Sequence, residues 1–233
     1  MACVWNTGSV NEDLRLHAPA TARNREPLLQ ALKPYIRPAQ RVLEVGSGSG
    51  EHAMFLASRL GVALWQPSDP NPRACASIHA WRLAPGELWA TAASTESTPP
   101  PEACTIVQPA QTLDVSTPEW WASVKSAPFD ALISVNVVHI APWQVAEGLF
   151  AGAGHLLPAG GALCLYGPFR FPGEALAPSN EDFDLHLKGL DPTYGIRAID
   201  DLIEVGASQG LALSATLPMP ANNHVLVFRR NRS

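Results

Sequence analysis

The 233-residue sequence has few positive charges and no long basic run. Its 16 Lys and Arg residues are outnumbered by 21 Asp and Glu residues, which gives a formal net charge of −5. A nucleic-acid-binding protein needs a positive surface to displace counterions from phosphates, and the scattered basic residues here supply none. We therefore expect no nucleic-acid partner.

Long apolar runs are also missing, and cysteine is scarce. No stretch of eighteen apolar residues occurs, and residues 1–17 lack the apolar segment of a signal peptide. The four cysteines, Cys3, Cys75, Cys104 and Cys164, never stand at C-x-x-C spacing, so we expect free thiols and no metal site. These absences predict a cytoplasmic protein without a membrane partner, and we expect a monomer or a homodimer.

Short apolar runs alternate with amphipathic segments, which is the pattern of an α/β fold with a mostly parallel sheet. We predict a single domain over residues 1–233 with a seven-stranded sheet that ends in an antiparallel hairpin. Residues 84–101 and 167–194 are predicted loops, the second with one short helix. The predicted strands are 41–45, 62–65, 104–107, 129–135, 162–166, 211–216 and 225–229, and the predicted helices are 23–36, 51–60, 72–83, 142–156 and 199–209.

A glycine-rich turn, Glu44-Val-Gly46-Ser47-Gly48-Ser-Gly50, follows the first predicted strand. Glycines let the backbone turn tightly and approach a ligand. A dinucleotide-binding turn has the spacing G-x-G-x-x-G, but Glu51 stands at the third glycine position, which argues against a nicotinamide-dependent oxidoreductase. The spacing E-x-G-x-G favours the amino-acid end of S-adenosylmethionine (SAM), with Glu44 as an anchor near its positive charge. The alternative is a strand–turn–helix junction without a ligand.

Further candidates for contact with SAM lie beyond this turn. Asp69 ends the second predicted strand, where a carboxylate can accept hydrogen bonds from both ribose hydroxyls, or it caps the following helix. Asp114, followed by Val115, stands where this type of fold faces the adenine, or it too caps a helix. Asn24 and Asn136 complete the predicted cofactor residues.

These motifs belong to longer fragments that resemble the methyltransferase-like twenty-six family over nearly the whole chain. The resemblance implies a Rossmann-like class I SAM-dependent methyltransferase fold and leaves the substrate open. The chain departs from the family at Gly46, where Ala is frequent, and at Tyr194, where Trp is common. The matching fragments are 19–27, 43–52, 65–69, 134–140, 166–169, 179–180 with 183–184, 195–197 and 220–223.

Ligands of open α/β sheets bind outside the carboxyl ends of the strands, and the predicted acid–base chemistry lies there. His139 is the preferred general base, because the ordinary pKa of histidine is close to neutral pH; alternatively it hydrogen-bonds a loop and shapes the pocket. Tyr166 is a second catalytic candidate, with an aromatic role in the core as its alternative.

Substrate contacts are predicted from arginines and asparagines on the same rim. Arg170 and Arg197 suit a substrate carboxylate, unless Arg197 forms an internal salt bridge with Asp184 or Asp191. A second set of residues is predicted to bind polar atoms of the substrate, although the asparagines among them also favour turns. Residues 20–36 and 167–197 would form a lid over the site. The second set consists of Arg23, Asn180, Asn222 and Asn223.

The combined prediction is a SAM-dependent methyltransferase that modifies an oxygen, nitrogen or sulfur atom of a small polar molecule. The alternative is a SAM-binding sensor or partner subunit without catalysis. This alternative arises because Asn136-Val-Val-His139 stands where some methyltransferases carry Asn/Asp-Pro-Pro-Tyr.

Overall fold

The structure is a computed structural model that describes residues 13–84 and 103–232. The chain divides into two compact units, the first ending at Leu113 and the second beginning at Asp114. Cys3 and nearly all of the predicted loop over residues 84–101 lie outside the described residues. Cys75 and Cys164 are free thiols, as predicted.

Within residues 13–84 and 103–113, the first unit contains two parallel strands and four helices. Strand β1 pairs with β2 in parallel register, Val45 opposite Ser68, so that both strands end at the same edge. The elements are α1 (Pro19–Leu32), β1 (Arg41–Val45), α2 (Glu51–Leu60), β2 (Leu64–Ser68), α3 (Pro72–Leu83) and α4 (Ala103–Ile106).

Local sequence signals explain where these helices begin and end. Helix α2 starts after Gly50 and stops at Gly61, both in the left-handed conformation that favours glycine. Helix α3 starts with Pro72 after Asn71, whose side chain accepts a hydrogen bond from the Arg73 N–H. The glycine-rich turn is therefore held between a buried strand and a well-defined helix.

The second unit contains the remaining strands and the terminal hairpin. Strand β3 is parallel to β4, β4 is antiparallel to β8, and β8 is antiparallel to β7. A separate short pair joins β5 to β6. The elements are β3 (Ala131–Val135), α5 (Trp143–Leu156), β4 (Ala162–Gly167), β5 (Phe169–Arg170), α6 (Pro178–Leu190), β6 (Arg197–Ala198), α7 (Ile199–Ser208), β7 (Leu211–Met219) and β8 (Asn223–Arg230).

The apolar core of the second unit surrounds strands β3 and β4. Every residue of β3 and β4 is buried, which is typical of strands covered by helices on both sides. In the second unit, Phe150 of α5 meets Phe228 of β8 edge to face, with 4.8 Å between ring centroids.

The predicted fold class is confirmed, with corrections in detail. Among the described residues six strands correspond to the predicted sheet rather than seven: β1 and β2 in the first unit, and β3, β4, β8 and β7 in the second. The predicted strand 104–107 is wrong, since Ala103–Ile106 is helical and only Val107 bridges to Trp65. The first helix begins and ends four residues earlier than predicted, and the loop after β4 holds the thirteen-residue helix α6. In the described ranges, the helices are too short or too polar to span a membrane.

Candidate functional site

The glycine-rich turn is fastened to the end of β2 by its own backbone. The N–H groups of Gly46 and Ser47 both donate to the Ser68 carbonyl at 2.9 Å. The Gly48 N–H donates to Oδ2 of Asp69 at 2.9 Å. The turn and the carboxylate predicted to bind ribose are thus one connected structure.

Two glycines of the turn have different surroundings. A Cβ on Gly50 would lie 2.7 Å from Cγ1 of Ile78, so this glycine allows α2 and α3 to pack closely. A Cβ on Gly48 would meet no atom within 4 Å in the described part of the chain, although its φ of +55° is also left-handed. Gly48 therefore borders open space that a ligand could fill.

Glu44 lies behind the turn, with 1% of its surface exposed. Its Oε2 accepts a hydrogen bond from Nε1 of Trp65 at 3.0 Å. Burial raises the pKa of Glu44 to about 7, against the opposing effect of hydrogen bonds from Trp65 and Ser47. A cation nearby would favour the ionised form of this carboxyl group.

Asp69 is largely buried, and its carboxylate still has positions that can accept hydrogen bonds from a ligand. Its Oδ1 accepts from the Asn71 N–H and its Oδ2 from the Gly48 N–H. A carboxylate has about four acceptor positions, so roughly two remain for a ligand. Asn71, rather than Asp69, caps α3, which removes the helix-capping alternative for Asp69. Burial raises the pKa of Asp69, and its two backbone hydrogen bonds oppose that shift.

The residues predicted on the N-terminal segment lie in α1. Oδ1 of Asn24 is 2.8 Å from Nε2 of the buried His52. Burial, and then the charge of Arg25, lower the pKa of His52 to about 4, so the neutral imidazole donates to the amide oxygen. Asn24 thereby links α1 to α2, while Arg23 is exposed.

In the second unit, Asp114 forms a local turn. Its Oδ1 accepts hydrogen bonds from the N–H and the hydroxyl group of Ser116, at 2.9 and 2.6 Å. Asp114 is exposed and Val115 is buried. The described residues 115–119 form no α-helix, and the Asp114 carbonyl accepts a hydrogen bond from the Thr117 N–H.

Three predicted residues meet at the carboxyl end of β3 and β4. Asn136 has a φ of +58° and donates its N–H to the Tyr166 carbonyl at 2.8 Å. Tyr166 is buried, with 4% of its surface exposed. The ring of His139 lies so close to Gly167 that an added Cβ would be 3.0 Å from its Nδ1.

His139 is a neutral and enclosed imidazole. It is 2% exposed, and its buried Nδ1 has no hydrogen-bond partner within the described ranges. Burial, and then the charge of Arg197, lower the pKa of His139 to about 4. Its carbonyl accepts from the Gly195 N–H, and its ring meets Phe183 edge to face. These contacts suit a role in shaping the loop after β4, while the role as a general base stays a prediction.

Both predicted substrate arginines already have partners inside the protein. Arg170 pairs with the buried carboxylate of Asp184 at 2.6 Å. Arg197 donates to the carbonyls of Val138, Ala141 and Thr193 instead of forming the salt bridge considered for it.

The three asparagines lie where α6 meets the β7–β8 turn. Asn180 donates from Nδ2 to the Asn222 carbonyl at 3.0 Å, and Asn222 donates to the Ser179 hydroxyl at 3.2 Å. Asn223 donates within its own turn to Pro220 and Ala221. Beside Asn180 and Asn222 is a cavity of about 170 Å³ that His224 also lines. Sequence reasoning missed His224, because nothing in its neighbourhood along the chain marks it.

A family model described as "Protein of unknown function (DUF938)" matches residues 15–230. The chain belongs to the DUF938 family. This match covers most of the sequence, as the resemblance predicted, but it does not carry the narrower name methyltransferase-like twenty-six, which stays a prediction.

Solved structures place this DUF938 chain among methyltransferase folds. An O-methyltransferase family protein from Burkholderia thailandensis is 14% identical, with a TM-score of 0.69 over 92% of this chain and 58% of that one. Human N-acetylserotonin methyltransferase, solved in complex with SAM, is 15% identical, with a TM-score of 0.65 over 91% of this chain and 53% of that one. The chain thus spans somewhat more than half of these two proteins.

A third similar structure has nearly the same length as this chain. It is a putative sarcosine dimethylglycine methyltransferase from Galdieria sulphuraria, 11% identical, with a TM-score of 0.66 over 94% of this chain and 92% of that one. Together these likenesses show an α/β Rossmann-like methyltransferase fold. At such low identity they show the fold alone.

Proposed function

We propose that this DUF938 chain is a SAM-dependent methyltransferase that modifies a small polar molecule. The observation that carries the proposal is the open space beside Gly48, next to the buried carboxyl group of Glu44 and the tethered carboxylate of Asp69. Two acidic groups suit a ligand with a sulfonium, an ammonium and ribose hydroxyls better than a pyrophosphate. The similarity to a protein solved with SAM supports the same ligand.

In this proposal the first unit holds the cofactor. Gly46, Ser47 and Gly48 form the wall of the amino-acid end, Asp69 accepts from the ribose, and Glu44 contributes negative charge. Bound SAM supplies a methyl group already activated by its sulfonium, so the main work of the protein is to align the acceptor. Asp114, Val115 and Asn136 stay proposed as further contacts, as does Asn24.

For the acceptor, the proposal covers oxygen, nitrogen and sulfur atoms of small molecules. His139 is neutral at pH 7, as a proton acceptor must be, but a pKa of about 4 makes it a weak base. Its proposed contribution is therefore to fix the loop beside Tyr166 more than to remove a proton. The net charge of −5 favours a small molecule over nucleic acid.

The test compares two glycines that both adopt the left-handed backbone conformation. Gly48 and Gly160 have φ values of +55° and +78°, and an added Cβ meets no described atom within 4 Å at either position. Gly48→Ala and Gly160→Ala should each lose about 1 kcal/mol of stability. Only Gly48→Ala should weaken SAM binding in calorimetry, by at least about tenfold, because its methyl group enters the ligand space.

Absence of SAM binding by the wild-type protein would contradict the proposal, and so would equal affinities of the two variants. S-adenosylhomocysteine, the demethylated product, should bind at the same site with the same dependence on Gly48.

A SAM-binding subunit without catalysis is the second candidate function. It is favoured by the internal partners of Arg170 and Arg197, which leave these side chains engaged within the protein. In that case the wild-type chain would bind SAM but transfer no methyl group from radiolabelled SAM to any pool of small metabolites.

A further inference from the structure

A small cavity lies at the carboxyl end of β4 in the second unit. Its volume is about 170 Å³, below the roughly 300–1,000 Å³ of sites for drug-sized ligands. The segment after β4, the first turn of α6 and the β7–β8 hairpin form its walls. The lining residues that determine its chemistry are Phe169, Phe171, Glu174, Asn180, Asn222 and His224.

Hydrogen bonds join two of these walls directly. Nδ2 of Asn180 donates to the Asn222 carbonyl at 3.0 Å, and Nδ2 of Asn222 donates to the Ser179 hydroxyl at 3.2 Å. Asn180 is 8% exposed, so solvent competes little with this contact. The cavity is therefore formed before any ligand arrives, which lowers the entropic cost of binding.

His224 gives the cavity a polar wall. It stands opposite Gly167 in the β4–β8 register, and its ring centroid is 4.6 Å from that of Phe171. Its Nδ1 is enclosed by protein atoms and has no hydrogen-bond partner in the part of the chain that the structure describes, so a ligand in the cavity would reach the ring through its other nitrogen, Nε2. Burial lowers the pKa of His224, which Glu174 partly offsets, and this shift favours the neutral ring.

The charge and shape of the lining select among ligands. The nine lining residues include one carboxylate, Glu174, and neither lysine nor arginine, so an anionic ligand is disfavoured. Phe169 and Phe171 offer aromatic surface that suits a flat ring. The volume limits that ring to about the size of a single benzene ring with one or two substituents.

We propose that this cavity binds an uncharged hydroxylated ring, of the phenol type, with the hydroxyl group hydrogen-bonded to the imidazole of His224. A hydroxyl group both donates and accepts, so it pairs with either tautomer of the neutral ring. As the methyl acceptor, such a ring deepens the proposed function and rests on it. As a binding site, the cavity stands on the geometry of the second unit alone.

Phenol and toluene are matched probes, because they share the ring and differ in the hydroxyl group. Each is titrated into the full chain, and the ¹⁵N signals of the histidine side chains and the ring protons of the phenylalanines are followed by NMR. We expect phenol to bind at least about tenfold more tightly than toluene and to shift the signals of His224 and Phe171. His224→Phe keeps a ring but removes the nitrogens, and it should abolish the preference for phenol.

A second variant tests the cavity without touching the imidazole. Ala175 is exposed and lines the cavity, so Ala175→Trp should fill it and abolish the binding of both probes while the circular dichroism spectrum is unchanged. Equal affinity for phenol and toluene, tighter binding of benzoate or benzylamine than of phenol, or unchanged phenol binding in Ala175→Trp would overturn the inference.

Calorimetry with SAM separates this inference from the proposed function. Both variants should bind SAM as the wild-type protein does. A chain that binds phenol at His224 but does not bind SAM would overturn the methyltransferase proposal and keep the cavity assignment. A chain that binds SAM but shows no preference for phenol over toluene would overturn the cavity assignment and keep the methyltransferase proposal.

Discussion

Glu44→Gln should make the ligand-free protein more stable at alkaline pH. Glu44 is 1% exposed and its Oε2 accepts from Nε1 of Trp65 at 3.0 Å. A glutamine side chain has the same shape and can accept the same hydrogen bond through its amide oxygen. The substitution therefore removes the charge of a buried carboxylate and keeps its packing and its partner.

The size of the effect follows from the pKa of Glu44, which burial raises from 4.5 to about 7. Each factor of ten in proton affinity is worth about 1.4 kcal/mol, so ionising Glu44 costs the folded protein about 3 kcal/mol. The folded chain holds this proton more tightly than the unfolded chain. The free energy of unfolding therefore falls as the pH rises from about 4.5 through 7, and the loss is complete near pH 8.

Urea unfolding at a series of pH values between 4 and 8, followed by far-UV circular dichroism, measures this linkage. The difference in unfolding free energy between Glu44→Gln and the wild type should be about 3 kcal/mol larger at pH 8 than at pH 4. Glu204 is exposed, and Glu204→Gln serves as the control for removing a surface carboxylate. Parallel pH profiles for Glu44→Gln and the wild type would refute the reasoning.

Three further substitutions test the packing and charge around the site. Gly50→Ala should cost about 2–4 kcal/mol in urea unfolding, because its Cβ would lie 2.7 Å from Ile78 and its φ is +88°; a loss below 1 kcal/mol would contradict the close approach. Trp65→Phe should lower the free energy of unfolding by about 1–3 kcal/mol. It also removes the hydrogen bond that lowers the pKa of Glu44, so the loss of stability with rising pH should extend to higher pH. An unchanged pH profile would count against that hydrogen bond. Asp184→Asn should cost about 2–3 kcal/mol at pH 7. Burial raises the pKa of Asp184, but hydrogen bonds from its partners outweigh burial and lower the pKa. The difference in unfolding free energy between the wild type and Asp184→Asn should therefore shrink as the pH falls below 3.8. A difference that is independent of pH would contradict this reasoning.

The sequence predicted the parts of the fold that depend on local pattern. Strands β1 and β4 agree with their predicted ranges to within one residue, because turn residues bound their apolar runs on both sides. The run 104–107 has the β-branched composition of a strand but is only four residues long, and such a run cannot be assigned by periodicity. It became the short helix Ala103–Ile106.

In the candidate site too, local sequence pattern predicted some features, while contacts between distant parts of the chain could not be predicted. The spacing around Gly48 predicted a glycine-rich turn that binds SAM, a role that stays a prediction, and Asp69 was found hydrogen-bonded to this turn. The partners of Arg197 could not be predicted, because its three carbonyl acceptors come from two separate loops. His224 was missed for a related reason: its importance depends on the cavity beside it, which α6 and residues 169–177 form.

The raised pKa of Glu44 also links proton release to ligand binding. At pH 7 this carboxyl group is about half protonated, since its pKa is about 7. A positively charged ligand beside the turn would favour the ionised form and lower that pKa, so binding should release up to about half a proton at pH 7, and affinity should rise between pH 6 and 8. Calorimetry with SAM in two buffers of different ionisation enthalpy measures the release directly. If the positive end of the ligand lies beside Glu44, Glu44→Gln should abolish the proton release. Proton uptake by the wild-type protein, or the same binding enthalpy in both buffers, would show that this end of the ligand lies away from Glu44.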